Sequence, residues 1–178
     1  MADKVRVATI WLSGCSGCHM SFLDQDEALI DMANQIQLVY SPIVDVKVFP
    51  ENVDVTLVEG AVANEDQQEL LKFARERTKI MISLGDCAVT GNVTGLRNAF
   101  NDNVEAVLNR AYIETADVQP QIPTETPALL PKALSLHEVV KIDFYIPGCP
   151  PSAGLINYVI SQLLRGLPVS MEGKSKYG

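Results

Sequence analysis

Four cysteines are the residues whose type and spacing point most directly to chemistry in this chain. Cys15 and Cys18 form a C-x-x-C pair within the run WLSGCSGCHMS, and Cys87 and Cys149 stand singly in the runs GDC and PGCPPS. Four thiolates complete one tetrahedral zinc site or one cubane iron–sulfur cluster. A C-x-x-C pair alone is also typical of a thiol–disulfide redox site. The spacing by itself therefore leaves three kinds of site open.

The elements that must position these cysteines alternate along the chain. Apolar, β-branched runs predict five buried strands, at residues 5–12, 36–44, 53–60, 79–87 and 139–149. The helical spacing of apolar residues predicts helices at 21–35, 64–78, 96–114 and 152–166. Alternating strands and helices predict an α/β fold. This order of elements favours a flavodoxin-like, doubly wound parallel sheet of about five strands with flanking helices.

The length and composition predict one domain. A chain of 178 residues with 47% apolar residues is expected to form a single unit over residues 1–178. Segment 116–138 contains Pro120, Pro123, Pro127 and Pro131, which argue against regular structure over most of it. The segment is too apolar for a free linker, so we expect an ordered connection that packs on this chain or on a partner.

Charge and hydropathy exclude two classes of partner. The net charge is −8 and the isoelectric point is about 4.7, so the chain repels phosphate backbones and no nucleic acid is expected to bind. No apolar run approaches the roughly 18–20 residues that span a bilayer, so no transmembrane segment is expected. The N-terminus enters the first strand almost at once, without a signal-peptide pattern. We therefore predict a cytoplasmic chain, in which cysteines are poor candidates for structural disulfides.

The predicted sheet brings all four cysteines to one edge. Cys15 and Cys18 follow the first strand, Cys87 ends the fourth and Cys149 ends the fifth. The carboxyl ends of parallel strands share an edge, and open α/β sheets bind their ligands there. The four thiols are therefore expected to converge, with Glu59 of the third strand beside them.

Glycines accompany the cysteines. Gly14 and Gly17 bracket Cys15, and Gly148 precedes Cys149. Glycine permits positive φ angles and a close approach of the backbone. It also leaves backbone N–H groups free to point at the sulfides of a cluster, which tunes the reduction potential. These features favour an iron–sulfur cluster with the three glycines around its ligands.

Two other kinds of protein stay open at this point. A thiol–disulfide oxidoreductase would use Cys15 and Cys18 alone and would contain no iron. A zinc-stapled interaction module would use all four thiols, although structural zinc sites usually bring two short C-x-x-C pairs. A flavodoxin-like sheet also raises the question of FMN. We expect it less, because the cysteine motif occupies the turn in which a hydroxyl-rich phosphate loop would lie.

The motifs GCSGC, VEGA, GDC and PGCPPS, in this order, resemble the small subunit of [NiFe]-hydrogenases over residues 5–166. The runs WLSGCSGCHMSFLD and HEVVKIDFYIPGCPP are most similar to the cytoplasmic NAD-reducing, bidirectional enzymes. The cluster-bearing subunit of complex I is related, but it typically has adjacent cysteines in its first motif. A small subunit of another cytoplasmic hydrogenase, with a different acceptor, also stays open.

The resemblance implies that the four cysteines ligate one proximal [4Fe–4S] cluster and that Glu59 lies near the cluster and a subunit interface. It implies two kinds of partner: a large subunit with the Ni–Fe centre, and diaphorase subunits with FMN and iron–sulfur clusters. Hydrogen is split on the large subunit, so no catalytic residue is expected in this chain. With no further cysteines, the chain is expected to hold one cluster. Gly17 stands where oxygen-tolerant relatives have an extra cysteine, which predicts an ordinary cubane.

Overall fold

A computed structural model of the chain describes residues 4–100 and 103–174. Its main sheet has five parallel strands in the order β2-β1-β3-β5-β7. These strands are β1 (Val5–Trp11), β2 (Ile36–Tyr40), β3 (Val53–Glu59), β5 (Thr78–Leu84) and β7 (Phe144–Ile146). Counted within the sheet this is the order 2-1-3-4-5 of flavodoxin-like folds. The predicted α/β architecture is confirmed.

Helices cover both faces of this sheet. The α-helices of the described residues are α1 (Gly17–Leu23), α2 (Glu27–Ala33), α3 (Glu65–Glu76), α4 (Asp86–Thr90), α5 (Asn92–Gly95), α6 (Asn103–Asn109) and α7 (Ala153–Leu164). Successive residues of a strand point to opposite faces. Ala8 of β1 therefore packs in the cluster that contains Leu71 of α3, whereas Val7 packs with Ile156 of α7. Among the described residues, no helix is long and apolar enough to cross a membrane.

Several element boundaries differ from those predicted. The helix predicted over 21–35 is two helices, α1 and α2, because the chain turns at Asp26, where φ is +48°. The helix predicted over 96–114 consists of a 3-10 turn (Leu96–Ala99), α6 and a π-helical turn (Arg110–Glu114). The strands predicted over 36–44 and 139–149 are shorter, because only Ile36–Tyr40 and Phe144–Ile146 pair with a neighbour.

The proline-rich segment ends in a strand that its prolines do not predict. β6 (Leu129–Leu134) pairs antiparallel with β4 (Val62–Asn64) in a separate two-stranded sheet. Each strand of such a pair has a free edge, so Pro131 can lie there without costing a ladder hydrogen bond. The Arg97 guanidinium donates to the carbonyl oxygen of Leu130 at 2.8 Å and so ties β6 to the rest of the chain.

Candidate metal centre

The four cysteines meet at the carboxyl edge of the main sheet, around one small cavity. All four are free thiols. The lining also includes Gly14, Gly17, Glu59, Gly60, Asp86, Gly148 and Pro150. The cavity volume is about 80 Å³, well below the roughly 300 Å³ at which small-molecule pockets begin. The space therefore suits a compact inorganic group, and it is too small for a flavin.

The loops after β1 and β3 are tied to each other. Ser13 donates its N–H to the carbonyl oxygen of Ala61 at 3.0 Å, and Ala61 donates back at 2.8 Å. Gly14 lies against Gly60, so a Cβ at Gly14 would stand 3.3 Å from the Gly60 Cα. A Cβ at Gly17 would likewise stand 3.3 Å from the Cys15 Sγ. A side chain at Gly14 would therefore press on the backbone of the loop after β3, and one at Gly17 would press on the Cys15 thiol.

Two further glycines stand where no side chain fits. Gly148 has a φ of +139°, and a Cβ there would stand 2.6 Å from the Cα of Pro151. Gly85 has a φ of +82°, and a Cβ there would collide with the Cys18 Sγ. Gly85 therefore allows the strand that leads to Cys87 to pass directly beside the thiol of Cys18.

Asp86 joins the second cysteine loop to the third. Its Oδ1 accepts the N–H of Gly148 at 2.6 Å, and its own N–H donates to the Gly148 carbonyl oxygen at 2.9 Å. The neighbouring Gly85 N–H donates to the Ile146 carbonyl oxygen at 2.8 Å. Asp86 is only 5% exposed. Sequence reasoning gave it no role, although an acid directly before Cys87 at the end of a buried strand is a signal it could have used.

A short turn at residues 91–95, here called the 91–95 turn, contacts all three cysteine loops. Gly91 donates its N–H to the Cys87 carbonyl oxygen at 3.0 Å. The Asn92 amide nitrogen, Nδ2, donates to the Cys149 Sγ at 3.4 Å. The Thr94 hydroxyl donates to the Ser13 carbonyl oxygen at 3.0 Å. Sequence reasoning missed this turn, and its only sequence signal is the run GNVTG shortly after Cys87.

Glu59 lies beside the cavity. Its side chain is 2% exposed, and its Oε2 accepts the backbone N–H of His19 at 2.6 Å. The His19 Nδ1 lies 2.8 Å from the same oxygen, close enough for an ion pair when the ring is protonated but not aligned as a hydrogen bond. The backbone of α1 therefore holds a buried carboxylate next to the cysteines.

The electrostatics of the cavity disfavour free thiolates. Burial raises the pKa of Cys18 to about 12, and repulsion from Glu59 and the other thiols adds to this effect. Burial and repulsion from Cys149 and Cys15 also raise the pKa of Cys87, although a hydrogen bond from the Val93 N–H opposes them. A cationic metal core bound by the four sulfurs would relieve the repulsion.

The size of the cavity that the thiols line favours a cluster over a single ion. In the described part of the chain, no group of three or more His, Cys, Asp or Glu side chains is close enough to hold one metal ion. A zinc ion needs its sulfur ligands about 2.3 Å away, so they must crowd together. The cysteines surround a cavity instead, which fits a multi-iron core better than a lone zinc.

Comparison with known proteins gives consistent results. Residues 15–163 match the family described as NADH ubiquinone oxidoreductase, 20 Kd subunit. The chain is 39% identical, over 174 residues, to the NAD-reducing hydrogenase HoxS subunit delta of Cupriavidus necator, which covers 94% of this chain and 82% of that relative. It is 38% identical to one subunit of the F420-non-reducing hydrogenase of Methanothermobacter marburgensis, over 96% of this chain but only 57% of that longer relative.

A solved structure agrees with these relatives. The chain superposes, with a TM-score of 0.93 and 35% identity, on a chain from the crystal structure of an NAD⁺-reducing [NiFe]-hydrogenase in the H₂-reduced state. The superposition covers 99% of this chain and 100% of that one. The likeness therefore extends over nearly the whole chain.

Proposed function

Because the chain belongs to the NADH ubiquinone oxidoreductase 20 Kd subunit family, and within it to the small subunits of NAD-reducing [NiFe]-hydrogenases, we propose that it carries one [4Fe–4S] cluster. In this role it passes electrons between a Ni–Fe centre on a large subunit and a flavin-containing diaphorase. The observation that carries the proposal is the convergence of four free cysteines, from three loops, around one small cavity.

The residues would hold the cluster as follows. Cys15, Cys18, Cys87 and Cys149 would provide the four thiolates that hold a cubane. When bound, such a cluster takes up and releases one electron at a time. Donors from the 91–95 turn reach two of the four sulfurs. With four thiolates from the chain as its ligands, such a cluster would supply electron transfer and no bond chemistry.

The relatives support the partners that the family resemblance implies. One solved relative is an NAD⁺-reducing [NiFe]-hydrogenase, so we assign hydrogen cleavage to a large subunit and NAD⁺ reduction to diaphorase subunits with FMN and iron–sulfur clusters. We further propose that residues 1–178 act as one domain in the cytoplasm, with segment 116–138 as an ordered connection. FMN is not proposed at the cysteine cavity, which is too small for it.

A second candidate concerns only the electron acceptor. The similarity to one subunit of an F420-non-reducing hydrogenase supports a hydrogenase small subunit that delivers electrons to another partner. The cluster and its ligands would be the same, and only the docking partner would differ. Hydrogen-dependent reduction of NAD⁺ distinguishes the two candidates.

The test is to purify the tagged full-length chain with its partners, without oxygen, and to measure iron, nickel and zinc per chain. Iron together with nickel and hydrogen-dependent NAD⁺ reduction are expected. The Cys149→Ser variant should lose that activity and the cluster signal in electron paramagnetic resonance (EPR) spectra. Zinc in place of iron, or full activity in an assembled Cys149→Ser complex, would contradict the proposal. Activity with other acceptors but not with NAD⁺ would favour the second candidate.

A further inference from the structure

The 91–95 turn carries an inference about how the site is tuned. We propose that Asn92 raises the reduction potential of the cluster by donating an N–H···S hydrogen bond from its side-chain amide to the Cys149 thiolate. This rests on the proposed function, because it requires a cluster at the four cysteines. It assigns a role in electron transfer to a residue that is itself no ligand.

The contact has the geometry of a hydrogen bond to sulfur. The Asn92 Nδ2 lies 3.4 Å from the Cys149 Sγ. A thiolate bound to iron has no proton to donate, so only the N–H side of the amide can make this bond. In the described part of the chain the side chain makes no other hydrogen bond, so nothing there competes for the amide.

The turn is held so that the amide stays aimed at the sulfur. The Gly91 N–H is bonded to the loop of Cys87, and the Thr94 hydroxyl is bonded to the loop of Ser13 and Cys15. Asn92 thus stands between two anchored residues, and its neighbour Val93 donates its backbone N–H to the Cys87 thiol. Two adjacent residues therefore reach two different cysteines.

The expected effect follows from the charge of the cluster. Reduction adds negative charge, which spreads over the thiolate sulfurs. A donor at a sulfur stabilises the reduced form more than the oxidised form, so it raises the potential. Cys149 is exposed in the isolated chain. A side-chain donor would stay in place when a docked subunit excludes water from this sulfur.

Backbone geometry offers a competing reason for asparagine here. Asn92 has a φ of +32°, and asparagine tolerates positive φ better than most residues. The Asn92→Gly variant separates the two reasons, because glycine accepts this φ but provides no donor. Asn92→Asp is a second variant that keeps the shape and replaces the amide with an acceptor-only carboxylate.

The experiment is an EPR-monitored redox titration of the assembled, anoxically purified complex. The signal of this cluster is identified by its loss in Cys149→Ser. Asn92→Gly and Asn92→Asp should each shift the midpoint potential to more negative values, with iron per chain unchanged. The control is Asn34→Gly, since Asn34 is exposed next to β2 at the opposite edge of the sheet, and it should shift nothing.

The outcomes separate this inference from the proposed function. A wild-type complex without iron at this site would overturn both. A wild-type cluster whose potential is unchanged in Asn92→Gly would overturn the inference alone. Loss of iron from both Asn92 variants, with normal iron in Asn34→Gly, would also overturn it, because Asn92 would then hold the cluster together instead of tuning it.

Discussion

Asp86 should stabilise the cysteine site far more than its small side chain suggests. In Asp86→Ala the buried N–H of Gly148, which now donates to Oδ1 at 2.6 Å, loses its acceptor. A hydrogen bond to a charged group contributes roughly 1.5–3 kcal/mol, and a buried donor without a partner costs about 1–3 kcal/mol. Both figures describe the loss of the same hydrogen bond, so they are not added together. We expect Asp86→Ala to lower the free energy of unfolding by about 2–3 kcal/mol.

The matched control removes the contribution of the helix dipole. Asp86 lies in the first turn of α4, where a negative charge is favourable. Asp66 lies in the first turn of α3 and is exposed, so Asp66→Ala loses the same kind of dipole interaction without breaking a link between loops. A dipole effect at such a position is worth about 0.3–1 kcal/mol. Asp86→Ala should therefore destabilise the chain clearly more than Asp66→Ala does.

The assay is urea unfolding of the iron-free chain, followed by the fluorescence of Trp11, the only tryptophan. A companion measurement follows the rate of cluster loss from the intact complex. Asp86→Asn should lie between the wild type and Asp86→Ala, because an amide oxygen can still accept the Gly148 N–H. If Asp86→Ala and Asp66→Ala lower the free energy of unfolding by the same small amount, then the Asp86 link between the two cysteine loops does not stabilise the site.

Two further expectations concern titration. Burial raises the pKa of Cys18 to about 12, so about 10⁻⁴ of this thiol is ionised at pH 8 in the iron-free chain. Iodoacetamide should therefore modify Cys18 far more slowly than the exposed Cys149, as followed by mass spectrometry. Equal modification rates would contradict the raised pKa. Burial alone would raise the pKa of Asp143, but the Met81 N–H and Arg75 outweigh it and hold the pKa below its usual range. That stabilisation is present above about pH 4 and is lost as the pH falls through the folded pKa. In urea titrations Asp143→Asn should therefore lower the free energy of unfolding by roughly 1 kcal/mol at pH 7 and by progressively less below pH 4. A difference in stability between wild type and variant that stays constant below pH 4 would be evidence against this.

The sequence predicts the main sheet and the meeting of the cysteines for one physical reason. Strands buried on both faces must be nearly continuous apolar runs, so their ends are visible in the sequence. Parallel strands then send their carboxyl ends to one edge. Cys87 and Cys149, 62 residues apart in the numbering, could be placed together because each follows such a run.

The missed features depend on contacts between distant residues. β4 and β6 are short strands that pair across more than 60 positions of the sequence. Pro131 lies within β6, and a proline argues against a strand in the sequence pattern. The break at Asp26 is invisible to periodicity, because the apolar residues on either side keep nearly the same helical spacing. The roles of Asp86 and Asn92 arise only when their partners, Gly148 and Cys149, are brought beside them by the fold.

The cavity combines negative charge with neutral donors, and the two act on the potential in opposite directions. Glu59 and Asp86 line it together with four thiols, and the lining contains no lysine or arginine among the described residues. Negative charge near a cluster opposes the arrival of an electron and so lowers its potential. The amide of Asn92 and the N–H of Val93 oppose that effect without adding charge. The potential of the proposed cluster would therefore be set by a difference between two nearby groups of residues, so single neutral substitutions in the 91–95 turn should shift it while every ligand stays in place.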